Sequence, residues 1–510
     1  MKLRKSILVI LILLLMPASA SATPAWQSKV DPWVLETAEA AESGETEFLV
    51  YLREQADLSA AASLPTKAEK GAYVFRQLRE MAKRTQPPLI AALKAMGVAY
   101  QPYWVANMIW VRGDGAAVQA LALRPDVAHL YANPSVQLQA PIEESDQVVQ
   151  VEAPDTVQDN LIQIHADEVW ARGFTGQGAV IGGQDTGYDW DHPALINAYR
   201  GWNGATADHD FNWHDAIHSG AGTPCPSNSP VPCDGYSRSH GTHTMGIMVG
   251  DDGATHQIGV APGARWIGCR NMNNSGAGTP ATYTECYQWF MAPTDISGVI
   301  SDTSKAPDVI NNSWGCTYDE GCRSPNALLS VVENVRAAGI MTVHSAGNSG
   351  GNTNDDCESV SEPAAIYAAS FTVGAVYGSD AMAEFSSRGP VAVDGSNRRK
   401  PDVVAPGVGI LSSIRGTGYN TMDGTSMAAP HVAGLVALLI SVDPSLRGDV
   451  DALEDLIEST AVEIDVDPVQ TCGGIPSSQI PNNTFGWGRV DAFLAARLLL
   501  HPFYMPLLSR

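Results

Sequence analysis

Three short segments of the chain hold residue types that acyl-transfer chemistry uses. The first is Gln184-Asp185-Thr186-Gly187-Tyr188-Asp189, where Asp185 ends an apolar run and Gly187 permits a sharp turn. The second is Ser239-His240-Gly241-Thr242-His243, which opens a helical stretch. The third runs from Asp423 to Gly434 and contains Gly424-Thr425-Ser426-Met427-Ala428-Ala429-Pro430-His431. Ser426 there heads a long apolar helix, and its small neighbours leave the hydroxyl accessible. A helix N-terminus has free N–H groups and a positive dipole end, which suits an oxygen beside a developing oxyanion. Taken singly, each segment has an ordinary reading. An Asp after a strand is a turn or cap residue, a Ser before a helix is an N-cap, and His-x-x-His is a polar helix start or a metal pair. Taken together, the chain order Asp185, His240, Ser426 is one of the known orders of a serine-hydrolase triad.

Such residues need a rigid frame. Val180 to Gly183 reads as a strand ending at Asp185, and Trp266 to Cys269, Val309 to Asn311, Ile340 to Val343 and Phe371 to Gly374 read as further strands. Helical patterns fall between them, at Thr242 to Val249, Thr282 to Met291 and Ala327 to Ala338. This alternation predicts an α/β unit with a mostly parallel sheet and helices on both faces. Polar residues at the C-terminal ends of the strands are where such sheets place their sites.

The residues around Asp185, His240 and Ser426 resemble the motifs of the subtilisin-like serine proteases, the subtilase family, over residues 158–495. The loop after the second motif and Asn482-Asn483-Thr484-Phe485-Gly486-Trp487-Gly488 resemble the bacillopeptidase F-like branch. The resemblance implies a subtilisin-like three-layer fold. In it Ser426 attacks a peptide carbonyl, His240 takes and returns the proton, and Asp185 holds the imidazole tautomer. Ser345-Ala346-Gly347-Asn348 matches the family's oxyanion segment, so Asn348 is expected to donate beside the Ser426 N–H. Asn312-Ser313-Trp314-Gly315 matches the segment that pairs with extended substrate. Ser313, Trp314 and Gly315 are therefore expected to bind substrate, with core packing the alternative for Trp314.

The run Asp191-His192-Pro193-Ala194 departs from the family pattern. Many members carry a calcium-binding Asp at the position of Ala194, so that calcium site is expected to be lost or rebuilt. No metal ligand is assigned and the chemistry requires no cofactor, although oxygen ligands for a structural calcium are abundant. His243 and His431 are expected to be structural, and the His/Asp-rich stretch 208–218 an acidic surface loop. Met427, beside the nucleophile, is expected to make activity sensitive to peroxide. Three glycosylation sequons begin at Asn273, Asn311 and Asn482. A sedolisin-like acid protease, which uses Glu in place of His, is opposed by His240. A secreted binding protein on an inactive subtilase scaffold is the rival of another class, and it needs a defect hidden from the sequence.

Composition divides the chain. Over 510 residues it carries 31 Lys+Arg against 55 Asp+Glu, a net charge of −24. Such an acidic surface disfavours nucleic acid and anionic membranes as partners. Residues 23–140 hold 11 basic and 12 acidic residues, whereas 141–510 hold 17 and 43. All eight cysteines lie in that acidic body, the first at Cys225. Residues 1–22 read as a signal peptide: Lys2, Arg4 and Lys5, an apolar run from Ile7 to Met16, then small residues with cleavage after Ala20 or Ala22. The run falls short of the roughly 20 apolar residues of a membrane span, and a secreted, extracellular protein is expected. Export makes disulfides the natural reading of an even cysteine count. Short loops favour Cys225–Cys233 and Cys316–Cys322, Cys269–Cys286 is compatible, and Cys357 and Cys472 then remain, although sequence alone cannot choose among pairings. The lack of any CxxC pair argues against zinc.

The head, 23–140, has a β-α-β-β-α-β order at about 45–138, with Pro87-Pro88 expected to break or kink its long helix. Residues 141–157 read as an exposed linker, 158–500 as the catalytic domain and 501–510 as a short tail. Subtilase propeptides resemble the head's order. The resemblance implies that the head aids folding, occupies the cleft as an intramolecular inhibitor, and is removed by self-cleavage between about Ala140 and Val157. The expected partners are protein or peptide substrates and this propeptide, around a monomeric enzyme.

Overall fold

The computed structural model describes residues 24–41, 44–138, 156–351, 356–464 and 469–500. The signal segment, most of the linker with its cleavage region, and the tail 501–510 lie outside the described residues.

The body is built on seven parallel strands. Across the sheet they run Val403–Pro406, Phe371–Val376, Met341–Ser345, Val309–Asn312, Val180–Asp185, Arg265–Arg270 and Trp213–Asp215. The five strands expected from sequence form its middle. Their alternating side chains feed two cores, because successive residues of a strand point to opposite faces. Ile181, Trp266, Val309 and Val343 pack with Met245, Val249 and the Ala428–Ile440 residues of helices His240–Val249 and Thr425–Val442. Ile267 and Ile310 pack on the other side with Tyr283, Phe290, Val331 and Val335 of helices Pro280–Met291 and Leu329–Ala337. The result is the three-layer α/β architecture. Thr425–Val442 is apolar enough to cross a bilayer, yet it is buried at the centre of the first core.

The head forms an antiparallel sheet in the order Ala99–Tyr103, Met108–Asp114, Glu45–Leu52, Val127–Ala132. One correction concerns the expected break in its long helix, which instead runs continuously from Lys67 to Met96 with both prolines inside. Buried Val74, Leu78, Ala82, Gln86, Leu89 and Leu93 keep one helical face through that point, so packing outweighs the bonds the prolines forfeit. Leu49, Tyr51, Val74, Leu78 and Tyr103 share the second core of the body. The two parts therefore meet through apolar surface.

A second correction is that the linker does not extend to residue 157. Thr156–Val157 pairs in parallel with His256–Gln257. All four cysteine pairs favoured above are joined, including Cys357–Cys472 across 115 residues. The sequon residues Asn311 and Asn482 are buried, which closes two of the three sequons to modification in the folded chain.

Candidate active site

Asp185, Ser313 and Asn348 all sit at or just past the C-terminal ends of central strands. Beneath them a polar ladder crosses the sheet. Asn271 Nδ2 donates to Gln184 Oε1 at 3.1 Å, Gln184 Nε2 to Asn312 Oδ1 at 2.6 Å, and Asn312 Nδ2 to the Val343 carbonyl at 3.0 Å. All three side chains are buried. Buried polar bonds of this kind help fix strand register where apolar contacts alone would allow slippage.

His240 begins the helix His240–Val249, and its Nδ1 lies 2.8 Å from Asp185 Oδ1. The helix reaches Asp185 because residue 241 is glycine: a Cβ there would stand 2.1 Å from the Gly187 carbonyl oxygen and 3.0 Å from the Asp185 Cβ. Asp185 Oδ1 also accepts the Thr186 N–H at 2.7 Å. A carboxylate held this way keeps the Nδ1 proton of the imidazole and turns Nε2 outward as the basic nitrogen. His240 Nε2 is buried with no hydrogen-bond partner among the described residues.

Ser426 is the second residue of helix Thr425–Val442, which packs on the His240 helix. The chain enters through Gly424 at φ 156, ψ 159, a conformation that essentially only glycine adopts. Ser426 Oγ lies 3.4 Å from the Ser313 carbonyl oxygen, and Ser313 Oγ donates to the Ser426 carbonyl at 3.1 Å. The hydroxyl is thus turned to Ser313 rather than to His240 Nε2. Bonds between a nucleophile and its base are often loose before substrate arrives.

Asn348 is oriented by its neighbour in the next motif. Its Oδ1 accepts from Thr425 N at 2.9 Å and from Thr425 Oγ1 at 2.8 Å. The carbonyl end is thereby committed, and the amide Nδ2 is the end left for the cleft. That cleft is lined by Ser313, Trp314, Gly315, Asn348 and Ser426. Trp314 also stacks on Tyr283, ring centroids 3.9 Å apart, so it belongs to cleft and core alike.

The remaining sequence candidates are structural. His243 Nε2 meets the Asn420 carbonyl at 3.0 Å, and burial pushes its pKa down to about 3. His431 lies between the Met427 carbonyl and Asn160 Nδ2, and burial lowers it to about 4. The stretch 208–218 is not a surface loop as expected: it holds the edge strand Trp213–Asp215, with Asp215 buried and paired to Arg270 at 2.6 Å, while His209 bonds the Tyr199 hydroxyl and Asp210 accepts the Ile296 N–H. Met427 is buried among Ile247, Ile410 and Met422.

One residue at the site was not legible in the sequence. Asp234 is buried behind the His240 helix. Its Oδ2 accepts Thr242 N at 3.1 Å and Thr242 Oγ1 at 2.7 Å, and its Oδ1 accepts Thr186 Oγ1 at 3.0 Å. Thr186 Oγ1 in turn accepts Gly241 N at 3.0 Å. Asp234 thus ties the start of the histidine helix to the turn after Asp185. Burial raises its carboxyl to about 6, against the lowering by Thr242.

Known proteins carry the same pattern. The subtilase family model matches residues 176–488. Bacillopeptidase F from Bacillus subtilis (strain 168) is 35% identical over 443 residues, covering 84% of this chain and 29% of its own length. Subtilisin E from the same organism is 32% identical over 291 residues, covering 57% of this chain and 62% of its own. The thermophilic serine proteinase of Bacillus sp. (strain AK1) is 31% identical, covering 78% of this chain and 84% of its own. The chain thus spans under a third of bacillopeptidase F and under two thirds of subtilisin E. With the family region covering more than half of the molecule, this chain belongs to the subtilase family.

Proposed function

We propose that the chain is a secreted serine endopeptidase made as a self-processed zymogen. The observation that carries the reading is the Asp185–His240 pair at 2.8 Å, its helix packed against the one that carries Ser426 into a cleft. Ser426 Oγ attacks the substrate carbonyl carbon as His240 Nε2 takes its proton. The oxyanion formed is held by the Ser426 N–H and Asn348 Nδ2. Collapse of the tetrahedral intermediate expels the amine, which leaves with the proton from His240. Water then repeats the sequence on the acyl-enzyme, with His240 again as base, and frees the acid. Asp185 keeps the imidazole tautomer throughout. These steps use side chains and backbone alone.

The head is the propeptide in this reading. Supporting it, Val136–Gln137 pairs antiparallel with Ala277–Gly278, and Leu138 N donates to the Gly276 carbonyl at 2.8 Å. Gln137 and Leu138 line the cleft with Ser426. Strand addition of this kind is how extended peptides bind sheet edges, so the end of the head sits as a substrate would. The four disulfides support passage through an oxidising compartment.

A fluorophosphonate probe tests the reading. Stoichiometric labelling at Ser426, abolished by His240→Ala, is expected. A folded, processed protein that takes no label would establish the inactive-scaffold alternative instead.

A further inference from the structure

The last described residues of the head form a short strand that is gripped on both edges. Successive N–H groups of a strand point to opposite edges. Leu138 N donates to the Gly276 carbonyl at 2.8 Å, on the edge where Val136–Gln137 pairs with Ala277–Gly278. Gln137 N points the other way and donates to a side chain, Glu320 Oε1, at 2.8 Å.

A closed loop places Glu320 for this bond. The residue lies between Cys316 and Cys322, which are joined. Its other oxygen is committed to the loop itself, Oε2 accepting Thr317 N at 2.9 Å and Thr317 Oγ1 at 2.8 Å. One oxygen thus anchors the carboxylate while the other faces the strand. The two cysteines pack on Val136, the residue before, which is only 1% exposed. Glu320, Gln137 and Leu138 line the same cleft as Ser426. The Gln137 side chain is exposed, and what Glu320 holds is a backbone group that every residue except proline supplies. The same bond is open to any extended chain that follows this path to Ser426.

We infer that Glu320 is a substrate-positioning residue, which accepts a backbone N–H of the substrate on the edge opposite Gly276–Gly278 and so aligns the chain leading to Ser426. This rests on the peptidase reading. The end of the head is then the first chain to use the grip. A carboxylate binds an N–H more strongly than a neutral carbonyl does, and an anchored carboxylate needs little ordering when substrate arrives. The grip also disfavours proline at that position, because proline has no N–H to give. A rival role is set by the loop's contacts with the rest of the head. A Cβ on Gly321 would fall 2.5 Å from Trp33, and Arg323 pairs with Glu36 at 2.8 Å. A loop that only docked the head would be idle in the matured enzyme.

The test gives the matured product of the full chain two synthetic peptides covering residues 132–157. They differ in one group: the N–H of residue 137 is replaced by an ester oxygen in the second. Cleavage is followed by mass spectrometry, and active enzyme is counted by fluorophosphonate titration. The ester peptide is expected to lose about 5- to 20-fold in kcat/KM, mostly through KM. Glu320→Ala is expected to lose about as much on the amide peptide and to bring the two peptides within about twofold of each other. Glu320→Gln, which keeps a neutral acceptor oxygen, is expected to fall between. A loosened loop would slow both peptides equally, so an unchanged ratio in titratable Glu320→Ala overturns the inference. A ratio within about twofold in the unmodified enzyme overturns it whether or not the variants fold. Labelled enzyme that cuts neither peptide overturns it too. Absence of both label and cleavage would instead overturn the peptidase reading, and this inference with it.

Discussion

Head and body solve burial in opposite ways. The head's sheet is antiparallel, and its core is almost wholly hydrocarbon: Phe48, Val50, Leu89, Leu93, Ile109, Val111, Val118 and Leu130. The body's sheet is parallel and covered on both faces, and its buried set includes Asp185, Asp234, His240, His243, His344 and His431. Buried polar groups are costly unless partnered. The body meets that cost with ladders such as Asn271–Gln184–Asn312, and it is stapled by four disulfides. The head has no cysteine. Chemistry-bearing residues are thus confined to the part built to keep them rigid, while the other part offers shape and a strand end. Under the proposed zymogen reading, the difference is one of permanence against removal.

The largest expected effect tests removal directly. Ser426→Ala should leave the head joined to the body in a protease-free expression system and should lower peptide hydrolysis by about 10⁶-fold, the scale seen for triad deletions in the relative subtilisin. Maturation of Ser426→Ala to the same product as the unmodified chain would show that another protease performs the cut. The comparison would then lose its functional meaning, although the head's lack of staples would stand.

The candidate residues Asp185, His240 and Ser426 were legible as motifs because each sits at a strand end or a helix start. The middle strands were legible as short apolar runs between turn residues. The edges were not. Trp213–Asp215 is three residues long with two of them polar, and Val403–Pro406 ends in proline, so neither has the pattern of a buried strand. Asp234 escaped notice because its stretch, Pro232-Cys233-Asp234-Gly235, reads as a loop, and its role arises only where Thr186 and Thr242 come to it in space. The Lys67–Met96 helix was misjudged from its prolines because sequence rules weigh lost backbone bonds before packing.

Acid separates the two parts next. In the folded body, burial pushes His243 and His344 down to about 3 and His431 to about 4, against an unfolded value of about 6.5. These imidazoles stay neutral when folded and bind protons when unfolded, so their contribution is complete above pH 6.5 and is lost as pH falls toward their folded values. Asp234 works in the opposite direction. Burial raises it to about 6, so the folded state holds the extra proton and gains as pH falls from 6 toward 4. Glu458, raised by burial to about 7 and half-exposed, does the same more weakly. Glu285 would be raised by burial, but bonds from His214 and His218 hold it at about 2, so its contribution is lost below about pH 4.5. The balance predicts a shallow slope near pH 6, about 1 kcal/mol per pH unit, steepening to about 3 kcal/mol per unit near pH 4. The head has a single histidine, His129. Hydrogen exchange on Ser426→Ala between pH 7 and 4 should therefore show body amides losing protection before head amides. Equal loss in both, or body stability rising from pH 5 to 4, would break the contrast.

The smallest effect lies at the seam. Lys67, at the start of the head's long helix, sends its ammonium into the body, where Nζ meets Asp308 Oδ1 at 2.6 Å and the Ala306 carbonyl at 2.9 Å. Asp308 is nearly inaccessible, and stranding it would be costly. Removal of the head would not strand it, because Arg447 Nε lies 3.1 Å from Oδ1 and Val180 N donates to Oδ2 at 2.9 Å. The body therefore carries its own partners for the charge it lends to the head. Lys67→Met should weaken the hold of the cleaved head by about 5- to 30-fold, corresponding to about 1–2 kcal/mol, read as faster dissociation of the nicked complex by native mass spectrometry. The melting temperature of the head-free body should be the same whichever head variant it matured with. A dissociation rate within twofold of the original would mean that the apolar seam of Leu49, Tyr51, Val74 and Leu78 holds the head unaided. A melting temperature of the freed body that depended on residue 67 would mean that the seam shapes the body permanently, and the head would then act as a template as well as a plug.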